Sequence, residues 1–309
     1  MTTGVRLPRC LVLLASYNGA QYIGEQLDSI LAQRGTDVSV LIGDDASTDA
    51  TLHIVEQMQA ADRIRVLRRN VGSGSAAQNF SQLLRDADFS GYDYVALSDQ
   101  DDIWLPDKLR RAIDSLAASS AGGYSCSVLA RWEDGTESVF SQSPCLREAD
   151  FLFEGAGQGC TFVMTASLFE TVQAVFRQRP DLTSLLIYHD WAIYALARVQ
   201  HIAWVFDAEP LMVYRQHAEN DTGARHSIDG VRRRLRLLAN GRYARQVAAV
   251  CELCLHLVPD ERRSSEWKRL QTSTAILQRI GKALFCLRYG RRRSADRLLT
   301  SIAAIVGWL

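Results

Sequence analysis

The chain has 309 residues, 47% of them hydrophobic and 23% charged, with 35 basic and 35 acidic side chains. That composition is ordinary for a globular protein and excludes a disordered or fibrous chain. The neutral total conceals a separation: 18 basic against 6 acidic residues lie between Arg225 and Arg297, leaving 17 against 29 elsewhere, so an acidic body carries a basic tail.

The first half alternates between short apolar runs and helical periodicity. Residues 10–15 (CLVLLA) read as a buried strand, and Ile23, Leu27, Ile30 and Leu31 then repeat at helical spacing over 20–33. A second strand is expected over 38–44 (VSVLIGD), with a helix from about Thr48, where Asp49 suits the positive end. A third strand follows over 64–67, a helix over 75–87, and a fourth strand over 92–99 (YDYVALSD). Pro106 opens the next helix, where its missing N–H costs little. This rhythm predicts an α/β fold, a mostly parallel sheet with helices on both faces. The glycine-rich stretch 121–165 reads as a further strand or two plus loops around a site. Helices over 165–178 and 188–199 and a strand-like 201–217 complete a domain of residues 1–224. Beyond it the pattern is helical only, over 228–257, 261–287 and 292–308, giving a basic helical region of residues 225–309 with a boundary near 220–228.

In an open parallel sheet, ligands bind at the carboxyl ends of the strands. The polar clusters fall there: Ala15-Ser16-Tyr17-Asn18-Gly19, Asp44-Asp45, Asn70-Val71-Gly72-Ser73-Gly74 and Ser98-Asp99-Gln100-Asp101-Asp102. Three carboxylates in four positions repel one another unless a cation neutralises them, and hard oxygen ligands select Mg²⁺ or Mn²⁺, which commonly bridge to a diphosphate. Helix capping accounts for one such acid, not three. At Asp44-Asp45 capping and base recognition stand level. VGSGSA (71–76) follows the third strand and lacks the spacing of a dinucleotide fingerprint, so it reads as a turn. Asp190, in Tyr188-His189-Asp190-Trp191, is either a helix N-terminal acid or a general base. His217 is either structural or an imidazole in a metal shell.

Together, LVLLASYNGAQYIGEQLDSILAQ (11–33), LIGDDASTDAT (41–51) and YVALSDQDDIWLPDKL (94–109) resemble the family 2 glycosyltransferases with the GT-A fold, over roughly residues 8–220. SDQDDIW and the YRQH ending look most like the branch that includes bacterial rhamnosyltransferases of surface polysaccharide synthesis. The resemblance implies that Ala15, Tyr17, Asn18, Asp45, Asn70, Asp99 and Gln100 bind the nucleotide and donor. It implies that Asp99, Asp101 and His217 serve the metal, with Asp102 supporting the loop. Asp190 stands where the family keeps its catalytic base, and Gly157, Gln158, Gly159 and Trp191 lie on the acceptor side. The implied reaction is inverting transfer from a nucleotide-diphosphate sugar, dTDP-L-rhamnose or alternatively a UDP-sugar, to a glycan or polyprenyl-linked acceptor. His189 stands where many members carry Glu, and QxxRW is missing after Gln216, so acceptor contacts carried by that motif do not transfer.

Three rivals compete: a silent nucleotide-sugar-binding module, a phospho-accepting receiver and a nicotinamide dehydrogenase. Intact acids oppose the first, the chain's length the second and the missing first-turn glycines the third. The basic helices, with LLTSIAAIVGWL (298–309), read as elements that contact an anionic membrane peripherally, at the inner face of a cytoplasmic location. A solvated cap or a homo-oligomer interface is the other reading. No aromatic residues interleave the arginines, which argues against nucleic acid. Seven scattered cysteines read as reduced thiols, and the lone Cys251/Cys254 pair lacks the further ligands of a zinc site. Neither a secretory signal nor an apolar run of spanning length is expected.

Overall fold

The structure is a computed structural model that describes residues 6–58, 62–141, 145–216, 236, 238–258, 266–268, 270 and 275–309. The expected boundary near 220–228, His217 and the arginines at 232–234 lie outside the described residues.

The apolar run after Pro8 forms β1 (Arg9–Ser16), and parallel pairing joins it to β2 (Asp37–Asp44) on one side and β4 (Tyr94–Asp99) on the other. β3 (Ile64–Arg68) extends the sheet beyond β2. These are the four strands expected from the sequence. The second half of the sheet is mixed: β8 (Val163–Thr165) pairs antiparallel to β4, β6 (Gly123–Trp132) antiparallel to β8, and β9 (Trp204–Gln216) parallel to β6. A two-residue β5 (Ile103–Trp104) pairs with β9, and β7 (Glu137–Phe140) pairs with β6. The order is β3-β2-β1-β4-β8-β6-β9-β5.

Alternation along β1 explains the layers. Leu11 and Leu13 enter one core with α3 (Ala76–Asp86), α5 (Ala166–Gln178) and α7 (His189–Val199). Cys10, Val12 and Leu14 enter the other, with α1 (Ile23–Leu31), α2 (Thr51–Gln57) and α4 (Lys108–Ser119). A four-residue α6 (Pro180–Thr183) precedes α7.

Among the described residues the C-terminal region is helical as expected, with α8 (Arg242–Leu257), α9 (Ile276–Tyr289) and α10 (Ser294–Val306). Cys251 and Cys254 are buried in α8 and pack into the first core with Val247, Val250 and Leu253. Burial pushes the Cys251 thiol up to about 12. Lys282 donates to the Leu309 carbonyl at 2.7 Å, so α9 and α10 run antiparallel as a hairpin. Its turn is fixed by Arg292, whose side chain is 3% exposed and lies 3.2 Å from Glu154 and 3.6 Å from Asp150. Arg198 meets the same buried Asp150 at 2.9 Å. No described helix is long and apolar enough to cross a membrane.

Candidate active site

The strand order reverses between β1 and β4, and a crevice is expected at such a switch point. Register brings the polar clusters level there: Ala15 pairs with both Gly43 and Asp99, and Ser16 with Asp44. Ala15 is itself buried. Tyr17 projects with 57% of its surface exposed. Gln100, expected to touch the donor, instead holds the Tyr17 loop. Its Oε1 accepts from Ser16 Oγ at 3.0 Å and from the Tyr17 N–H at 2.9 Å, while its Nε2 donates to the Tyr17 carbonyl at 2.9 Å. A Cβ on Gly19 would come within 2.1 Å of Gln100 Oε1, so a larger residue there would push the Gln100 amide off the Tyr17 loop. Asn18 adopts φ 46°, and its Oδ1 accepts from the Thr48 N–H at 2.8 Å, tying the loop to the end of β2.

Asp45, expected to meet the base, is 5% exposed, and both carboxylate oxygens are engaged by Ser73, at 2.7 Å from its N–H and 2.8 Å from its hydroxyl. A base that uses Asp45 must displace Ser73. Arg69 lies 4.0 Å from Asp45, and neither of its terminal nitrogens makes a hydrogen bond among the described residues. Asn70 is exposed on the same loop.

At the end of β4, Asp99 and Asp101 are half-buried and Asp102 is fully buried. The group whose ligand atoms lie within 4.8 Å of one another is Asp99, Asp102 and Cys160; the expected partner Asp101 is not part of it. Cys160 arrives because β8 runs antiparallel to β4, and the Phe162 carbonyl accepts from the Leu97 N–H at 3.1 Å. Neither Asp102 oxygen has hydrogen-bond geometry with a described residue. Burial holds the Asp102 carboxyl well above the usual range, the charges of Asp101 and Asp99 add to this, and the Cys160 thiol and Lys108 ammonium pull the other way. Lys108 is itself buried, with Nζ 3.4 Å from the centre of the Trp104 ring and no hydrogen bond among the described residues. Its only sequence signal was its place in LPDKL.

This donor set fits a divalent cation. Burial favours the neutral Asp102 acid, and a divalent cation would displace its proton while Asp99 brings a second carboxylate to the same point. The Cys160 thiol is a soft donor, held protonated by burial, and suits Mg²⁺ or Mn²⁺ poorly. Arg215, at the end of β9, donates to the Asp101 carbonyl at 3.2 Å and so bounds the site on that side.

Opposite these acids, α7 opens with His189 and Asp190. A Cβ on Gly159 would lie 3.0 Å from both Asp190 Cβ and His189 Nε2, so glycine is needed for the loop to approach the helix end. Gly157 adopts φ 121°, and the Gln158 carbonyl accepts from the Thr161 N–H at 3.0 Å. Trp191 corrects the sequence expectation. It is 4% exposed, its indole N–H donates to the Phe151 carbonyl at 2.7 Å, and it packs against Gly155. A helical residue one step from Asp190 points to a different face, which placed it in the core.

His189 stacks on Phe80 with centroids 4.1 Å apart. Burial depresses its imidazole from 6.5 to about 3. Between those values the unfolded chain takes up a proton that the native state refuses, so stability present above pH 6.5 is lost as the pH falls towards 3, by about 1.4 kcal/mol per pH unit. Urea midpoints of wild type and His189→Phe at pH 7, 5.5 and 4.5 should therefore show the wild type losing stability relative to the variant as the pH falls; a constant difference would remove His189 as the cause.

The sheet and its flanking helices match glycosyltransferases of the GT-A class. The chain superposes on TarS of S. aureus in complex with UDP-GlcNAc with a TM-score of 0.59 at 16% identity, over 97% of this chain and 81% of that one. It superposes on the mannosyltransferase PcManGT from Pyrobaculum calidifontis in complex with GDP-Man and Mn²⁺ with a TM-score of 0.50 at 16% identity, over 97% and 87%. At such identities the likeness speaks for the fold alone. The profile of Glycosyl transferase family 2 matches residues 11–176. Over 239 residues the chain is 37% identical to the dTDP-rhamnosyl transferase RfbG of Shigella flexneri, covering 77% of this chain and 83% of that protein. The chain belongs to glycosyl transferase family 2 and is a glycosyltransferase.

Proposed function

We propose that the protein transfers L-rhamnose from dTDP-L-rhamnose, with inversion, to a hydroxyl of a lipid-linked glycan in bacterial surface polysaccharide synthesis. One observation carries the catalytic reading: the adjacent residues Gly159 and Cys160 touch Asp190 and the Asp99/Asp102 pair respectively. One short loop thus borders both the proposed general base and the proposed diphosphate-binding acids, which supports a sugar held between them. The similarity to a dTDP-rhamnosyl transferase supports the donor.

Asp99, Asp102 and, by its adjacency, Asp101 would hold Mg²⁺ or Mn²⁺, which supplies charge neutralisation to the departing diphosphate. Asp190 accepts the proton of the acceptor hydroxyl. That oxygen bonds to the anomeric carbon as the bond to the diphosphate oxygen breaks on the opposite face, and the configuration inverts. Tyr17 and Asn18 border the nucleotide, and the Gly157–Gly159 loop borders the acceptor.

Thermal shift with dTDP, UDP, GDP and CMP, each with Mn²⁺ and again with EDTA, tests this. The largest stabilisation is expected from dTDP with Mn²⁺ and little from any nucleotide with EDTA. A preference for UDP would move the donor to a UDP-sugar, and no response to any nucleotide would sink the reading.

A further inference from the structure

The α9–α10 hairpin leaves an apolar face open. On α9, Ile276, Leu277, Ile280, Leu284 and Leu287 are 43–78% exposed. At about 100° per residue they fall within one arc of roughly 100°. On α10, Leu298, Ile302, Ile305 and Val306 are 46–56% exposed and fall within a similar arc, and Trp308 follows at 40%. Nine large aliphatic side chains on two antiparallel helices exceed the scatter of single exposed apolar residues normal on a protein surface.

Charge says what covers the face. Residues 275–309 hold seven basic side chains and one acidic one. That acid, Asp296, is 17% exposed and lies 3.7 Å from Arg291. The charge that the hairpin leaves at the surface among the described residues is therefore cationic: Arg288 and Arg293 are exposed, and Arg279 is half-buried beside Gly307. A second copy packed across a two-fold axis would set these arginines against each other. A bilayer of anionic lipids meets both features at once, burying the leucines and isoleucines at the acyl boundary and pairing the arginines with headgroups.

We infer that the α9–α10 hairpin is a docking face for an anionic lipid surface and that it lies in the plane of the interface. The inference rests on the lipid-linked acceptor proposed above and adds where that acceptor is presented. The hairpin turn is anchored directly behind the acceptor-side loop. The Arg292 guanidinium donates to the Gly155 carbonyl and the Arg292 N–H to Glu154, and Gly155 lies against Trp191, next to Asp190. A membrane-bound hairpin thereby fixes the 154–159 loop relative to the lipid surface.

The test is sedimentation of the full chain with vesicles of phosphatidylcholine, with and without phosphatidylglycerol, beside the double variant Leu284→Glu/Ile302→Glu. Both positions are exposed, so the variant should fold. Wild type should sediment with the anionic vesicles at least ~10-fold more than with the neutral ones, and the variant should lose at least ~10-fold. Turnover on a water-soluble glycan acceptor should be equal in the two proteins. No sedimentation, equal sedimentation of both proteins, or a wild-type dimer that the variant splits into monomers would each overturn the inference. Vesicle binding without transfer to any acceptor would instead overturn the function while leaving the docking face intact.

Discussion

Asp190→Asn is expected to lower turnover by about 10²–10⁴-fold, the usual worth of a positioned general base, while nucleotide affinity in the presence of Mn²⁺ stays within about twofold of wild type. The substitution is close to isosteric. Asp190 Oδ1 accepts from the Trp191 N–H at 2.7 Å, and an asparagine oxygen can keep that bond, so the helix start should persist. What is lost is the capacity to take a proton from the acceptor hydroxyl. Steady-state turnover, with dTDP binding measured separately by calorimetry, separates the two effects. A variant that turns over at more than about a tenth of the wild-type rate would assign the proton to another group.

Arg292→Met is expected to cost about 1.5–3 kcal/mol, because it removes the ion pair with Glu154 and the charged hydrogen bond to Gly155 and leaves the buried Asp150 with Arg198 as its one remaining guanidinium among the described residues. Asp150 is fully buried between Arg198 and Arg292, and Arg292 also pairs with Glu154. Even with both arginines present, burial outweighs their attraction and holds the Asp150 carboxyl above its ordinary value. Removing Arg292 raises it further, so the cost should shrink in mild acid as Asp150 takes up a proton. Urea denaturation gives the size. The double variant Arg292→Met/Asp150→Asn should recover part of the loss, because the buried carboxylate that lost one of its two guanidinium partners is gone. Full additivity of the two substitutions would show that the pair does not interact. Since Arg292 clamps the hairpin to Glu154 and Gly155, the single variant should also bind the acceptor more weakly at temperatures where it remains folded.

The parallel half of the fold was legible because each apolar run ends in a polar cluster, and both features are local in sequence. CLVLLA, VSVLIGD, IRVL and YVALSD became β1 to β4 with ends within a few residues of those expected. The helix opening at His189 was legible from periodicity in the same way. In the mixed half, a further strand or two within 121–165 and the strand-like 201–217 were expected, but the number, direction and pairing of these strands were not legible. β8 has three residues and β5 two, too short for any period, and their partners lie about 40 residues away or more in sequence.

The amino-acid sequence by itself determined which acids, glycines and aromatics stand at the strand ends, since strand alternation and helix period place them there whatever the chain does elsewhere. Tertiary structure alone decided which polar atoms remain open for a ligand. It gave Asp45 to Ser73 and Gln100 to the Tyr17 loop, turned Trp191 inward, and brought Cys160 and Lys108 to Asp102. Burial and hydrogen bonding depend on neighbours distant in the chain, and those neighbours fix whether a carboxylate is spent within the protein or left for a cation.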